Sequence, residues 1–165
     1  MQAETNVQTQ PQAIQIRNLL IDPPLLLAPM AGLTHSAFRR IVIGFGGVGL
    51  LSTEMLSAKR LPTENPRISP YLIRTERESP LSYQLLTSTD KEIGRAIDAL
   101  HAFKADAIDL NMGCPSRAVS KFGAGSTSPA LIDCRSFPYD THQGPLSSGN
   151  ASRGFKLGMS GKSNR

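Results

Sequence analysis

The sequence predicts an α/β protein built around a parallel sheet. Short apolar runs alternate with segments whose apolar residues recur at helical spacing, which is typical of β-α-β units. Each apolar run also ends on polar or backbone-exposing residues, and parallel sheets carry their functional groups at the carboxyl ends of the strands. Both a (β/α) barrel and a doubly wound sheet share this property, so the pattern alone leaves these two architectures open.

The first predicted strand is the apolar run LLLAP at residues 25–29, which we expect to be buried on both faces. A helix follows, with apolar residues at helical spacing through 38–42. Thr34 or Ser36 is expected to cap this helix, because a hydroxyl can accept a hydrogen bond from a free N–H of the first turn.

Three further strands are predicted downstream. They are VGLLSTEM, PLSYQLL and ADAIDLNM, at residues 48–55, 80–86 and 105–112. The stretch 59–80 contains four prolines and many charges, and we expect it to be an irregular connection. A second helix lies between the last two strands, with apolar residues spaced helically over 93–103 and Thr89 or Asp90 as its cap.

Charge and composition divide the chain into segments. The formal net charge is +5, of which residues 1–133 contribute +1 and residues 134–165 contribute +4. The terminal segment has two Leu, Ile or Val residues beside five glycines and six serines, too few apolar side chains to offset the entropy of ordering. We therefore expect a disordered lead over 1–15, a folded domain over 16–133 and a disordered tail over 134–165.

Several classes of protein are disfavoured by the sequence. The two cysteines, Cys114 and Cys134, do not form a disulfide framework, and the polar N-terminus does not look like a signal peptide. Membrane spans are not expected, because no apolar run is long enough to cross a bilayer. The three histidines are scattered, so no metal site is expected. These features predict a cytoplasmic protein.

Polar side chains gather at the ends of the last two predicted strands. Strand alternation places Asp109 and Asn111 on one face, either as polar groups that tie strands together or as groups that face a ligand. Cys114 follows on a Gly-Cys-Pro turn, where a thiol is either inert packing or a candidate acid or nucleophile. Gln84 could hydrogen-bond a planar ligand or a core partner.

Five segments together resemble the tRNA-dihydrouridine synthases. They are LAPMAGLTHSAFRR, LLSTEMLSA, PLSYQL, IDLNMGCPSRAV and KFGAGS, which have the order and spacing of that family over about residues 16–128. The resemblance implies a (β/α)8 TIM barrel, of which this chain contains about the first four strands. It also implies FMN as cofactor, NADPH as reductant and a uridine of tRNA as substrate, so residues 16–133 would be a partial flavin-binding barrel.

The resemblance implies roles for individual residues as well. Cys114 would act as the general acid that protonates carbon 5 of the uridine, while hydride is delivered to carbon 6. Gln84 would hydrogen-bond the flavin ring, and Asn111 would line the substrate side next to the cofactor. Pro29, Met30 and Ala31 match the segment that packs on the flavin, where small residues let a flat ring lie close to the backbone.

The sequence departs from the family pattern at two positions and in its length. Ala118 occupies a position that is often basic in the family, which would remove one contact to RNA or phosphate. His35 stands where the family usually has aspartate, which is expected to weaken helix capping there. Beyond about residue 128 the later barrel strands and the RNA-binding helical domain are not recognisable, although FKLGMSG at 155–161 faintly resembles the strand with a flavin-contacting lysine, here Lys156. We therefore expect a truncated or frame-shifted chain that is inactive alone.

Two alternative functions remain open at this stage. One is another FMN-dependent barrel oxidoreductase, similar to dihydroorotate dehydrogenase, which also uses an asparagine and a Cys-Pro pair near a strand end. The other is a non-enzymatic RNA-binding fragment that acts through the basic residues of its tail, although that tail lacks the interleaved aromatic residues of a stacking surface. The sequence does not predict an oligomeric state.

Overall fold

The computed structural model describes residues 12–127 and 156–157 of the chain. Its helices and strands, in chain order, are β1 (Ile14–Ile16), β2 (Leu19–Ile21), α1 (Ser36–Phe45), β3 (Leu51–Ser57), β4 (Leu81–Leu86), α2 (Asp90–Ala102), β5 (Ala107–Leu110), α3 (Arg117–Ser120) and β6 (Lys156–Leu157). The predicted α/β class is confirmed.

The strands β3, β4, β5 and β6 form one parallel sheet in which spatial neighbours are also neighbours along the chain. Helix α2 packs on one face of this sheet, where its buried Ala96 and Leu100 join a core that contains Tyr83 and Leu85 of β4. In β6, Lys156 pairs with Ile108 of β5. The other residues of the predicted tail lie outside the described part of the chain.

The segment at 25–29 is less sheet-like than predicted. It contributes one parallel bridge, between Leu26 and Leu50, in which the Leu27 N–H donates to the Leu50 carbonyl at 2.8 Å. Leu25 and Leu26 are 56% and 43% exposed, so the prediction of burial on both faces is wrong. The segment has a neighbouring strand on one side only among the described residues, and the two prolines before it cannot donate to a ladder.

An N-terminal hairpin precedes this segment and was not predicted. β1 and β2 pair antiparallel, with Ile14 opposite Ile21, although residues 14 and 15 were expected to belong to the disordered lead. Three-residue strands are too short to show alternation, and the connecting turn uses Arg17 at φ 51° instead of a glycine. Residues 1–11 of the predicted lead lie outside the described chain.

The N-cap of helix α1 is neither of the predicted residues, Thr34 and Ser36, but the residue between them. His35 is the N-cap, and its Nδ1 accepts a hydrogen bond from the Phe38 N–H at 3.4 Å. That separation is long for a hydrogen bond, so the imidazole caps the helix weakly. For α2, the predicted Thr89 is the N-cap residue, although its side chain makes no capping hydrogen bond.

A buried ion pair ties the irregular connection between β3 and β4 to helix α1. Arg39 Nε lies 2.8 Å from Glu78 Oε1, and the two side chains are 1% and 0% exposed. The guanidinium also donates to the carbonyls of Thr34 at 2.6 Å and Ile73 at 2.8 Å, while the second carboxylate oxygen accepts from Ser36 Oγ at 2.9 Å. The pair is therefore fully desolvated and extensively hydrogen-bonded, as buried charges require.

Candidate active site

The sequence-predicted site residues on the sheet come together at the carboxyl ends of β4 and β5. The register places Gln84 directly opposite Asp109, so their side chains lie on the same face. Asn111 follows β5, and its backbone N–H donates to the Leu85 carbonyl at 2.9 Å, which continues the sheet hydrogen bonding past the end of the strand. The parallel pairing thus places the three polar side chains side by side.

Three of these polar side chains form a continuous hydrogen-bonded chain. Gln84 Nε2 donates to Asp109 Oδ2 at 2.6 Å. Asn111 Nδ2 donates to Gln84 Oε1 at 3.0 Å and also contacts Met55 Sδ, a weak acceptor, at 3.1 Å. The backbone of Gln84 is itself held by β3, because its N–H donates to Thr53 Oγ1 at 3.2 Å. The chain therefore joins β3, β4 and β5.

The turn that carries Cys114 is held from both sides. Asn111 Oδ1 accepts hydrogen bonds from the N–H groups of Gly113 at 3.3 Å and Cys114 at 3.1 Å. The Cys114 carbonyl in turn accepts from the N–H and the Oγ of Ser126, each at 3.2 Å. The thiol is half-buried and not in a disulfide. A partly accessible thiol on a fixed turn is suited to hold a proton at a defined position.

The predicted Pro29-Met30-Ala31 segment is held by a separate set of hydrogen bonds. Thr34 Oγ1 accepts from the Met30 N–H and donates to the Met30 carbonyl, both at 3.0 Å, which closes a tight turn. Glu54 of β3 accepts from the Gly32 N–H at 2.5 Å. Within the described chain, no hydrogen bond joins this segment directly to Gln84, whereas the contact between Gly32 and Glu54 joins its turn to β3.

Sequence reasoning assigns no site role to Thr34 or Glu54. Thr34 is predicted as a helix cap, but its fully buried hydroxyl hydrogen-bonds the backbone of Met30 instead and closes the turn there. Glu54 was visible as a polar residue at the end of a predicted strand, which is the signal that marked Gln84. Its partner could not be predicted, because the contact crosses 22 residues of chain.

Burial raises the pKa of the Asp109 carboxyl above its usual range. The hydrogen bonds from the Gln84 side chain and the Leu110 backbone favour the charged form and oppose this rise without cancelling it. The protonated carboxyl is thus favoured by folding, while Oδ2 accepts from Gln84.

This pKa predicts how stability depends on pH. Because the folded-state pKa lies above the unfolded value, the contribution of Asp109 is fully present below the unfolded pKa and is lost as pH rises through the folded pKa. The wild type should therefore lose free energy of unfolding relative to Asp109→Asn as pH rises from about 3.5 to 7, because asparagine does not titrate. Urea denaturation at several pH values measures it, and a pH-independent difference would contradict the prediction.

Two features are absent from the described residues. No group of three or more histidine, cysteine, aspartate or glutamate side chains there is placed to hold a metal ion. No helix in this part of the chain has the length and apolar character needed to span a membrane.

A parallel sheet with amide, carboxyl and thiol groups at its carboxyl edge defines an α/β protein with an enzyme-like site. The family model described as dihydrouridine synthase matches residues 26–133, a stretch that contains all the site residues discussed above. The chain belongs to the dihydrouridine synthase family.

Curated relatives of the chain are named as tRNA-dihydrouridine synthases. The chain is 37% identical over 125 residues to a probable tRNA-dihydrouridine synthase of Rhodobacter capsulatus, which covers 72% of this chain and 36% of the relative. It is 33% identical over 124 residues to probable tRNA-dihydrouridine synthase 1 of Synechocystis, and this match covers 73% of this chain and 34% of the relative. For tRNA-dihydrouridine synthase B of Pasteurella multocida the identity is 32% over 102 residues, and this match covers 62% of this chain and 30% of the relative. The chain thus spans about a third of the length of these relatives.

Proposed function

We propose that this chain is the part of a tRNA-dihydrouridine synthase that holds the proton donor and one side of an FMN site. The observation that carries the proposal is the Cys114 turn, which Asn111 fixes at the carboxyl edge of a parallel sheet. Names of relatives supply the substrate class, a uridine of tRNA. The match to this family favours it over a dihydroorotate dehydrogenase-like enzyme and over a non-enzymatic RNA-binding fragment.

The architecture that we propose is a partial (β/α)8 barrel. In the described sheet each strand pairs with the next strand along the chain, whereas doubly wound sheets reverse strand order at a switch point. This order supports a barrel, whose carboxyl edge would be the mouth of the site. Because the chain spans about a third of its relatives, we propose that uridine reduction requires the remaining barrel strands.

The groups at this edge fit the ring of a flavin. Gln84 uses one of its two N–H groups and one lone pair within the site, which leaves one donor and one acceptor for a planar ligand. The exposed Ala31 and Gly32 bring backbone close to solvent without bulky side chains. FMN, reduced by NADPH, would supply hydride to carbon 6 of the uridine.

Cys114 would complete the reduction by giving its Sγ proton to carbon 5 of the same uridine. The turn held by Asn111 and Ser126 fixes where that proton is offered, so the residue acts by position as well as by acidity. A uridine within folded RNA would need to leave its stack to reach this edge. The free, half-buried state of Cys114 supports this role.

Binding of FMN by the purified chain tests the proposal. The wild type should acquire a flavin absorption spectrum, and Gln84→Ala should weaken FMN binding about tenfold, because one hydrogen bond to a ligand contributes about 1.4 kcal/mol. Cys114→Ala, which leaves both amides in place, should keep the flavin spectrum. A chain that stays colourless with excess FMN would overturn the proposal.

Alkylation gives a second measurement that does not depend on catalysis. Bound FMN should slow the reaction of the Cys114 thiol with iodoacetamide, since the ring would cover the turn. Cys134 lies outside the described residues and serves as the internal reference, resolved from Cys114 by peptide mass spectrometry. Equal protection of both cysteines would argue against a flavin at this edge.

A further inference from the structure

The two ends of the hydrogen-bonded chain allow its amides only one orientation. At one end, Asp109 Oδ2 accepts from Gln84. At the other end, the peptide N–H groups of Gly113 and Cys114 can only donate, so Asn111 must turn its oxygen toward them. Gln84 and Asn111 lie between these ends, and the observed orientation is the one in which each contact along the chain joins a donor to an acceptor.

This orientation leaves the two amides with different capacities. Asn111 uses both N–H groups, on Gln84 Oε1 and Met55 Sδ, and its oxygen receives two peptide N–H groups. Its hydrogen-bonding capacity is therefore consumed inside the protein. Gln84 retains one donor and one acceptor. Of the two amides, Gln84 is the one available to a ligand in this arrangement.

We propose that Asp109 is a positioning residue that sets the orientation of the Gln84 amide, and through Asn111 supports the turn of Cys114. Among the described residues, Asp109 is the side chain that accepts a hydrogen bond from Gln84 Nε2. Without it, the Gln84 amide could turn over, place its NH₂ against the NH₂ of Asn111 and break the link. The consequence for FMN depends on the proposed function above, whereas the orientation itself does not.

An exchange of carboxylate and amide tests the orientation directly. At a pH high enough to ionise both side chains, Gln84→Glu sets two carboxylates against each other, and should lower the urea midpoint and speed hydrogen exchange of the Cys114 N–H. Adding Asp109→Asn supplies a donor to the new carboxylate, which still accepts from Asn111 Nδ2. The double variant should therefore recover most of both losses. Glu76→Gln, at an exposed carboxylate, is the control and should change neither quantity.

Removing the acceptor separates positioning from simple packing. Asp109→Leu should weaken FMN binding about tenfold and shift the side-chain amide NMR signals of Gln84, whereas Asp109→Asn, which keeps an acceptor oxygen, should stay within about threefold of the wild type. Wild-type signals and affinity in Asp109→Leu would overturn the proposal, as would a double variant no better than Gln84→Glu.

The outcomes distinguish this proposal from the proposed function. If the wild type binds no FMN but the exchange of carboxylate and amide restores the Cys114 protection, the orientation stands and the flavin proposal fails. If the wild type binds FMN but the double variant shows no recovery, the flavin proposal stands and the role of Asp109 fails. Should Asp109→Leu not fold, the comparison between Gln84→Glu and the double variant still decides.

Discussion

Replacing Glu78 by alanine should lower the free energy of unfolding by about 3–5 kcal/mol. The substitution leaves the Arg39 guanidinium, 1% exposed, inside the protein without its counter-charge. It also deprives Ser36 Oγ of its acceptor. Domains of this kind are stable by only about 5–15 kcal/mol. The Glu78→Ala variant should therefore unfold at a clearly lower urea concentration than the wild type.

Two companion variants show whether the buried charge causes this loss. Glu76→Ala removes an exposed carboxylate two residues away and should change the free energy of unfolding by no more than about 0.5 kcal/mol. The double variant Arg39→Met with Glu78→Leu replaces the whole pair by apolar side chains, and should be more stable than Glu78→Ala. A Glu78→Ala chain as stable as Glu76→Ala would contradict the assignment.

Gly125→Ala should destabilise the protein by about 2–4 kcal/mol and disturb the Cys114 turn. Gly125 has φ +62°, and a Cβ there would lie 2.7 Å from the Cys114 carbonyl oxygen and 2.8 Å from Val119 Cγ1. The first contact is with backbone, which cannot rotate away as a side chain can. The turn must therefore shift, and its hydrogen bonds from Ser126 should weaken.

Gly123→Ala provides the matched control for this prediction. Gly123 has nearly the same backbone conformation, φ +64°, but nothing lies within 4 Å of its added Cβ. This variant should lose only the cost of a left-handed alanine, about 1–2 kcal/mol. The rate of Cys114 alkylation should rise in Gly125→Ala alone. Equal rates and equal stabilities in the two variants would show that the close approach to Cys114 is unimportant.

The sequence predicted those features that depend on local pattern. Strand alternation predicted Asp109 and Asn111 on one face and Gln84 at the end of the preceding strand, and the parallel register sets Gln84 opposite Asp109 because parallel strands bring their carboxyl ends to one edge. For Asp109 the sequence left two roles open, and the hydrogen bond from Gln84 shows the strand-tying role in the structure. The orientation of the amides could not be predicted, since it depends on donors in the turn after β5.

Features that depend on distant contacts were missed. Arg39 and Glu78 are separated by 39 residues, and neither helical spacing nor strand alternation links a helix position to a loop carboxylate. The exposure of Leu25 also depends on tertiary context, because an apolar run has the same sequence pattern at the edge and at the centre of a sheet.

Two hydrogen-bonded regions hold the residues for which the sequence predicts cofactor contacts. The turn at Met30 is held by Thr34, whose carbonyl accepts a hydrogen bond from Arg39, while Gln84 is held by β4 and β5. The hydrogen bond between Gly32 and Glu54 joins the turn to the sheet. A ligand that contacted both regions would act as a brace beside this hydrogen bond, so the motion of one region against the other should be smaller in the bound protein than in the free protein.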